Sequence, residues 1–157
     1  MSNRSSGKTR RTQRIRVVSS GVVVVSRFEH RYRYLLLRAF SYWDFPKGQV
    51  EKGETEFEAA LREVREETTI TQLDFKWGKD VIATGPYSQG KLAKYYLAET
   101  DQKQISLPVN PELGRPEHND YRWVSYKQAE TMVSPRVKTV LDWAASYLDK
   151  SPDTESD

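Results

Sequence analysis

The sequence predicts a single α/β (α+β) domain, and three stretches carry that reading. Residues 15–28, centred on Gly-Val-Val-Val-Val-Ser, are the β-branched run of a strand buried on both faces. Tyr32-Arg33-Tyr34-Leu35-Leu36-Leu37-Arg38 begins by alternating and ends apolar, as an antiparallel partner does. Phe57, Ala60, Leu61 and Val64 then recur at the spacing of one face of an amphipathic helix. At 157 residues the chain suits one domain with a proper core and would leave two undersized.

In chain order, the polar break Glu29-His30-Arg31 joins the first two strands into a hairpin. Residues 41–53 read as a loop punctuated by Pro46, Gly48 and Gly53. The helix starts at Thr55, whose hydroxyl caps it while Glu58, three residues on, completes a capping box. Residues 73–84 and 91–98 read as further strands, separated by a Gly-Pro-Tyr-Ser-Gln-Gly turn. Residues 105–118, with Pro108, Pro111 and Pro116, resist both helix and strand and predict a long surface loop. Residues 121–125 read as a short strand and 126–131 as a helical turn. Residues 135–148 complete the fold as a helix with Val137, Val140, Leu141, Ala144, Ala145 and Leu148 on one face. No internal repeat is evident.

Composition narrows the function classes. A hydrophobic fraction of 37% and a charged fraction of 30% suit a soluble globular domain. No apolar run approaches the ~20 residues of a membrane span. The absence of cysteine excludes disulfides and thiolate metal sites, so a metal must be held by oxygen or by His30 and His118. Oxygen ligands point to a hard cation, magnesium or manganese.

The net charge of +3 hides an asymmetry: Arg4, Lys8, Arg10, Arg11, Arg14 and Arg16 precede any acid, and without them the remainder is net acidic. Residues 1–14 therefore read as a basic arm able to touch RNA or another polyphosphate, or as a solvated disordered tail. The arm has no amphipathic face, which sets it apart from an organelle transit peptide and leaves a cytoplasmic protein as the expectation. The expected layout is the arm, one domain over 15–149, and an acidic frayed tail over 150–157.

The chemistry concentrates in Gly48–Ile70, GQVEKGETEFEAALREVREETTI. Glu63, Glu66 and Glu67 share one arc of the helix through i, i+3 and i+4 spacing, and a dication would relieve their mutual repulsion. Arg62 lies four residues from both Glu58 and Glu66, placed to orient carboxylates rather than to bind substrate. A solvated helix laced with Glu–Arg pairs is the alternative. What favours a site is the preceding loop. Pro46-Lys47-Gly48 and Gly53 let backbone approach a ligand closely, and a helix start favours phosphate.

The spacing Gly, five residues, Glu, seven residues, Arg-Glu, apolar, any, Glu-Glu, any, Gly, apolar resembles the signature of the Nudix hydrolases. Here it is filled by Gly48, Glu54, Arg62, Glu63, Val64, Glu66, Glu67 and Ile70, with Thr69 standing where the family has glycine. That glycine would accommodate a left-handed turn closing the helix. A β-branched residue there costs ~1–2 kcal/mol or forces a different turn.

The resemblance implies a mixed β-sheet sandwiched between α-helices, and hydrolysis of a nucleoside diphosphate linked to another group. It implies Glu63, Glu66 and Glu67 as ligands of Mg2+, with Mn2+ as a substitute, the Gly48 carbonyl as a further ligand and Glu54 as support; the general base varies within the family, and by position Glu66 or Glu67, where not fully engaged with metal, is the candidate to take the proton. The flanks, Trp43 to Val50, Tyr95 to Ala98, and Glu117-His118 followed by Tyr121 to Val124, resemble asymmetric diadenosine tetraphosphate hydrolases and, secondarily, bacterial RNA pyrophosphohydrolases.

In those relatives a glutamate before the aromatic-Arg-Trp strand approaches the metals, which makes Glu117 an additional ligand or base. Lys47, Lys91 and Lys94 are candidates to counter a polyphosphate, or are ordinary solvated lysines. Tyr87 would stack on an adenine or pack on the sheet. His118 would bond a phosphate or cap its loop, and Trp43 and Trp123 read as core. The expected reaction is conversion of diadenosine tetraphosphate to ATP and AMP. The alternatives are removal of pyrophosphate from RNA 5′ ends, hydrolysis of oxidised nucleotides, and a silent module that binds nucleotide or RNA. Monomer and homodimer are both open.

Overall fold

The structure, a computed structural model, describes residues 14–148. The expected acidic tail, and all of the basic arm except Arg14, lie outside the described residues. The core is one seven-stranded mixed sheet covered on both faces. Strand β1 (Val17–Phe28) is its centre, and along one edge it runs parallel to β6 (Lys91–Glu99) from Val17↔Lys91 to Val25↔Glu99. Its other edge is divided. The C-terminal end pairs antiparallel with β2 (Arg31–Ala39), whereas Ser19, Ser20 and Gly21 pair with β4 (Lys47–Gln49).

The divided edge is what places the Gly48 loop. Beyond Tyr34, β2 leaves β1 and pairs instead with β3 (Tyr42–Asp44) on the same edge. So β3 and β4 each continue the pairing of one diverging strand. The sequence predicts only a loop over 41–53. The structure corrects this with two three-residue strands, too short for any period-2 pattern to announce them. On the outer side, β5 (Ile82–Tyr87) flanks β6 and β9 (Asp120–Val124) flanks β2.

Side chains of β1 alternate between two cores, as the double-faced burial of its valines requires. Val23 and Val25 face α3 (Pro135–Leu148), which contributes Val137, Val140, Leu141, Ala144 and Leu148, with α2 (Tyr126–Met132) adding Ala129. Val22 and Val24 face α1 (Glu56–Thr68) through Ala60 and Val64. Each fully buried Val, Leu or Ile contributes about 1.5–3 kcal/mol relative to exposure, so these two layers fix the sheet on which the site is mounted.

Helix α1 begins as its sequence predicts. The Glu58 N–H donates to the Thr55 hydroxyl at 3.0 Å, and the Thr55 N–H donates to the Glu58 carboxylate at 2.9 Å. Ser20 of β1 donates to the Glu56 carbonyl at 2.7 Å, tying the helix start to the central strand. At the other end Thr69 takes the left-handed conformation, φ 68° and ψ 5°, and its N–H closes on the Arg65 carbonyl. Of the two outcomes expected for threonine here, the left-handed turn is kept. Gln102 braces it, donating to the Thr69 carbonyl at 2.9 Å and accepting from the Thr71 N–H at 3.0 Å.

Two further boundaries differ from expectation. Residues 73–81 are not strand apart from a bridge of Asp74 to Glu99; strand begins at Ile82 and runs through the Gly85-Pro86-Tyr87 stretch expected to turn. The proline-rich stretch holds a minimal hairpin, β7 (Val109–Asn110) with β8 (Arg115–Pro116). Helix α3 and the capping of α1 are as the sequence predicts. Among the described residues no helix is long and apolar enough to cross a membrane.

Candidate metal and phosphate site

A cleft of about 770 Å3 opens between α1, the Gly48 strand and the proline-rich segment. Gly48, Glu51, Arg62, Glu63, Glu66, Glu67, Glu117 and His118 are among its lining residues. The residues proposed to bind metal all line this cleft, although they are not equivalent there. A Cβ on Gly48 would stand 2.1 Å from the Glu63 Cδ, so a larger residue there would displace the Glu63 carboxylate from its place beside β4.

Arg62 organises the near wall. Its Nε donates to Glu54 at 2.6 Å, one terminal nitrogen donates to Glu63 at 2.8 Å and Glu66 at 3.1 Å, and the other to the Gln49 carbonyl at 3.0 Å. The expected pairing with Glu58 is not made, because that carboxylate is spent on the capping box and Glu54 takes the place beside Arg62. The hydrogen bond from Arg62, with a second from the Glu51 N–H, holds the Glu54 carboxyl below the usual carboxylate range. The same pairing raises the Arg62 guanidinium above its ordinary value.

The three helix carboxylates therefore have distinct surroundings. Glu63 is held by Arg62, Glu66 keeps 55% of its side-chain surface exposed, and Glu67 keeps 5%. Neither buried Glu67 oxygen has a hydrogen-bond partner among the described residues. A buried anion without donors is costly, and burial, then the adjacent Glu63, push the Glu67 carboxyl well above the usual range.

Across the cleft, one ligand atom each from Glu67, Glu117 and His118 lie within 4.8 Å of one another. His118 Nδ1 stands 3.9 Å from a Glu67 oxygen, beyond hydrogen-bond reach. Burial lowers the His118 pKa, against the opposing pull of Glu117. The donor set fits a divalent cation: hard carboxylate oxygens, two of them buried and unsatisfied, in a cleft open to phosphate.

The structure does not bring every candidate here. Lys91 is exposed at the start of β6, Lys94 is engaged by Glu56 at 2.9 and 3.1 Å, and Tyr87 lies under the Arg136 guanidinium at 4.1 Å; none of the three lines the cleft. Lys47 is near, 4.0 Å from Asp44, and its charge is felt by both Glu67 and His118. The guanidiniums of Arg38 and Arg122 lie 5.5 and 5.2 Å from the centre of the Trp43 ring. Trp123 rests on Phe28 and donates to the Lys103 carbonyl.

Sequence reasoning misses a second polar group behind Lys47. Arg136 of α3 donates to Asp44 at 2.7 Å, Thr84 at 2.9 Å and Tyr95 at 3.0 Å, while the Tyr95 hydroxyl donates to Asp44 at 3.0 Å. Its members come from distant parts of the chain, so no local spacing announces it.

A model of the Nudix domain matches residues 16–144, and the chain belongs to the Nudix family of hydrolases. Within that family it is similar to the asymmetrical bis(5′-nucleosyl)-tetraphosphatase of Caenorhabditis elegans, 31% identical over 119 residues spanning 72% of this chain and 82% of the relative. It is also similar to the RNA pyrophosphohydrolase of Shewanella sediminis, 30% identical over 122 residues spanning 68% of this chain and 69% of the relative. The fold matches the crystal structure of a C. elegans Ap4A hydrolase binary complex with a TM-score of 0.71 and 24% identity, covering 86% of this chain and 99% of that one.

Proposed function

We propose that this chain hydrolyses a phosphoanhydride of a dinucleoside polyphosphate, converting diadenosine tetraphosphate to ATP and AMP with the help of a divalent cation, magnesium or manganese. The observation that carries the metal-dependent reading is Glu67, a carboxylate buried without a donor on the floor of an acidic cleft. The substrate class rests on the similarity to asymmetrical tetraphosphatases.

In this reading Glu63, Glu66, Glu67, Glu117 and the Gly48 carbonyl hold the cation. When bound, the cation supplies neutralisation of phosphate oxygens and acidification of the attacking water. Arg62 keeps Glu63 and Glu66 oriented through its pairing with Glu54. Glu66, exposed and held by a single arginine, takes the proton as the water oxygen bonds to phosphorus and the bridging oxygen leaves on the departing nucleotide. Lys47, whose charge reaches Glu67 and His118, would counter the polyphosphate charge.

A second reading, removal of pyrophosphate from RNA 5′ ends, is favoured by the basic residues before Val17 and by the similarity to RNA pyrophosphohydrolases. Turnover of diadenosine tetraphosphate, triphosphorylated RNA and nucleoside triphosphates, with and without magnesium, separates the readings. The tetraphosphate should be the best substrate. Faster turnover of RNA would transfer the assignment to the second reading, and no turnover of any would leave a binding module.

A further inference from the structure

His118 is fixed where an imidazole has no structural task. The next residue is clamped to the sheet: the Asn119 N–H donates to the Arg38 carbonyl at 2.8 Å, and the Arg38 Nε donates to the Asn119 side chain at 3.1 Å. That double tie holds the His118 backbone just before β9 begins, with the ring only 13% exposed and its Nδ1 on the side of Glu67. A histidine serving the fold would donate to Glu67, whose oxygens lack partners, yet the two stop 3.9 Å apart.

Ligands bonded at about 2.1 Å to one octahedral ion stand about 3 Å apart when adjacent and about 4.2 Å apart when opposite. One ligand atom each from Glu67, Glu117 and His118 lie within 4.8 Å of one another, close enough for small side-chain movements to bring all three onto a shared ion. The buried, unpartnered Glu67 is an independent sign that something positive completes this corner.

We propose that the His118 imidazole is a nitrogen ligand to the cation that Glu67 and Glu117 bind, giving a mixed nitrogen–oxygen site that prefers manganese to magnesium. Imidazole discriminates against magnesium, a hard cation with a reluctant hydration shell, and in favour of first-row transition ions. This inference rests on the proposed metal-dependent reading and adds the ion it selects.

The test uses the full chain with one equivalent of Mn2+ and no substrate. Electron spin-echo modulation should show imidazole nitrogen coupled to manganese. The chain has two histidines, His30 and His118. The coupling should survive His30→Gln and vanish in His118→Gln, with Mn2+ affinity falling about tenfold or more. Mg2+ affinity measured by calorimetry should change less than about threefold, so the preference for manganese narrows.

Absence of the coupling in the unchanged protein, or its survival in His118→Gln, overturns the proposal. If His118→Gln does not fold, the spectrum of the His30→Gln protein decides alone, because His118 is then the one histidine left. Glu67→Gln separates this failure from that of the underlying reading. Loss of Mn2+ binding in Glu67→Gln without any nitrogen signal in the parent removes only His118. Undiminished binding in Glu67→Gln removes the metal site itself.

Discussion

Two groups of charged side chains lie near the Gly48 strand, and they are built on opposite plans. In the Asp44–Arg136 group every partner is internal: the guanidinium serves Asp44, Thr84 and Tyr95 together, and the Tyr95 hydroxyl returns to Asp44. In the Glu67–Glu117–His118 group, by contrast, both Glu67 oxygens are buried without a donor among the described residues. Burial is comparable in kind, but satisfaction is not. A closed polar network stabilises a fold by joining elements, here α3 to β3, β5 and β6, whereas an open one lowers stability until a ligand completes it.

The largest expected effect distinguishes the two directly. Glu67→Gln should lower kcat about a thousandfold, since several kcal/mol of charge stabilisation depend on the cation and each 1.36 kcal/mol is a factor of ten. The cation-free variant should melt no lower than its parent, because a neutral amide replaces a carboxyl whose charged form is buried without a donor among the described residues. A large drop in melting temperature would mean that Glu67 belongs to a closed network after all.

Arg136→Leu should do the reverse, costing about 3 kcal/mol in urea unfolding by stranding a half-buried Asp44, with kcat reduced less than tenfold. An activity loss matching that of Glu67→Gln at unchanged stability would erase the distinction between the two groups.

Acidity offers the next contrast. Burial, then the neighbouring Glu63, raise the Glu67 carboxyl well above its ordinary value of 4.5, so ionising it in the cation-free protein costs folding stability. Its contribution to stability is fully present below about 4.5 and is lost as pH rises through the raised folded value. Cation at a hundred times its Kd should restore about 2.7 kcal/mol at neutral pH. Thermal melts across pH with and without Mg2+ or Mn2+ check this, and identical curves would contradict it.

The smallest effect lies outside both groups and calibrates them. Thr69→Gly should stabilise by about 0.5–1 kcal/mol, relieving a β-branched residue at φ 68° at some cost in unfolded-state entropy. Its activity should be unchanged, which steady-state kinetics will show.

What the sequence reveals tracks how local each cause is. The capping box, the buried valine strand and helix α3 depend on neighbours within a few residues, and each is visible in the chain. The carboxylate arc is visible too. At 100° per residue Glu67 falls within about 20° of Ala60, so its burial beside the core stripe was implicit in the helical period. The identity of the Arg62 partner is harder, because Glu54 competes with Glu58 across a loop whose shape depends on β4. The Asp44–Arg136 pair spans most of the domain and leaves no spacing to read. The short strands β3 and β4 exist only because β1 and β2 diverge, which is a property of the assembled sheet.

The divided edge of β1 also sets when this protein can become active. The strand that carries Gly48 hydrogen-bonds to residues 19–21, and the same residues pair on their other side with β6, far along the chain. A parallel pairing of that span is a slow, non-local event in folding. A nascent chain that has already formed the glutamate helix therefore still lacks the mount against which it must rest. The catalytic cleft therefore depends on sheet closure, because Gly48 is set against the glutamate helix only when residues 19–21 hold β4 on one side and β6 on the other.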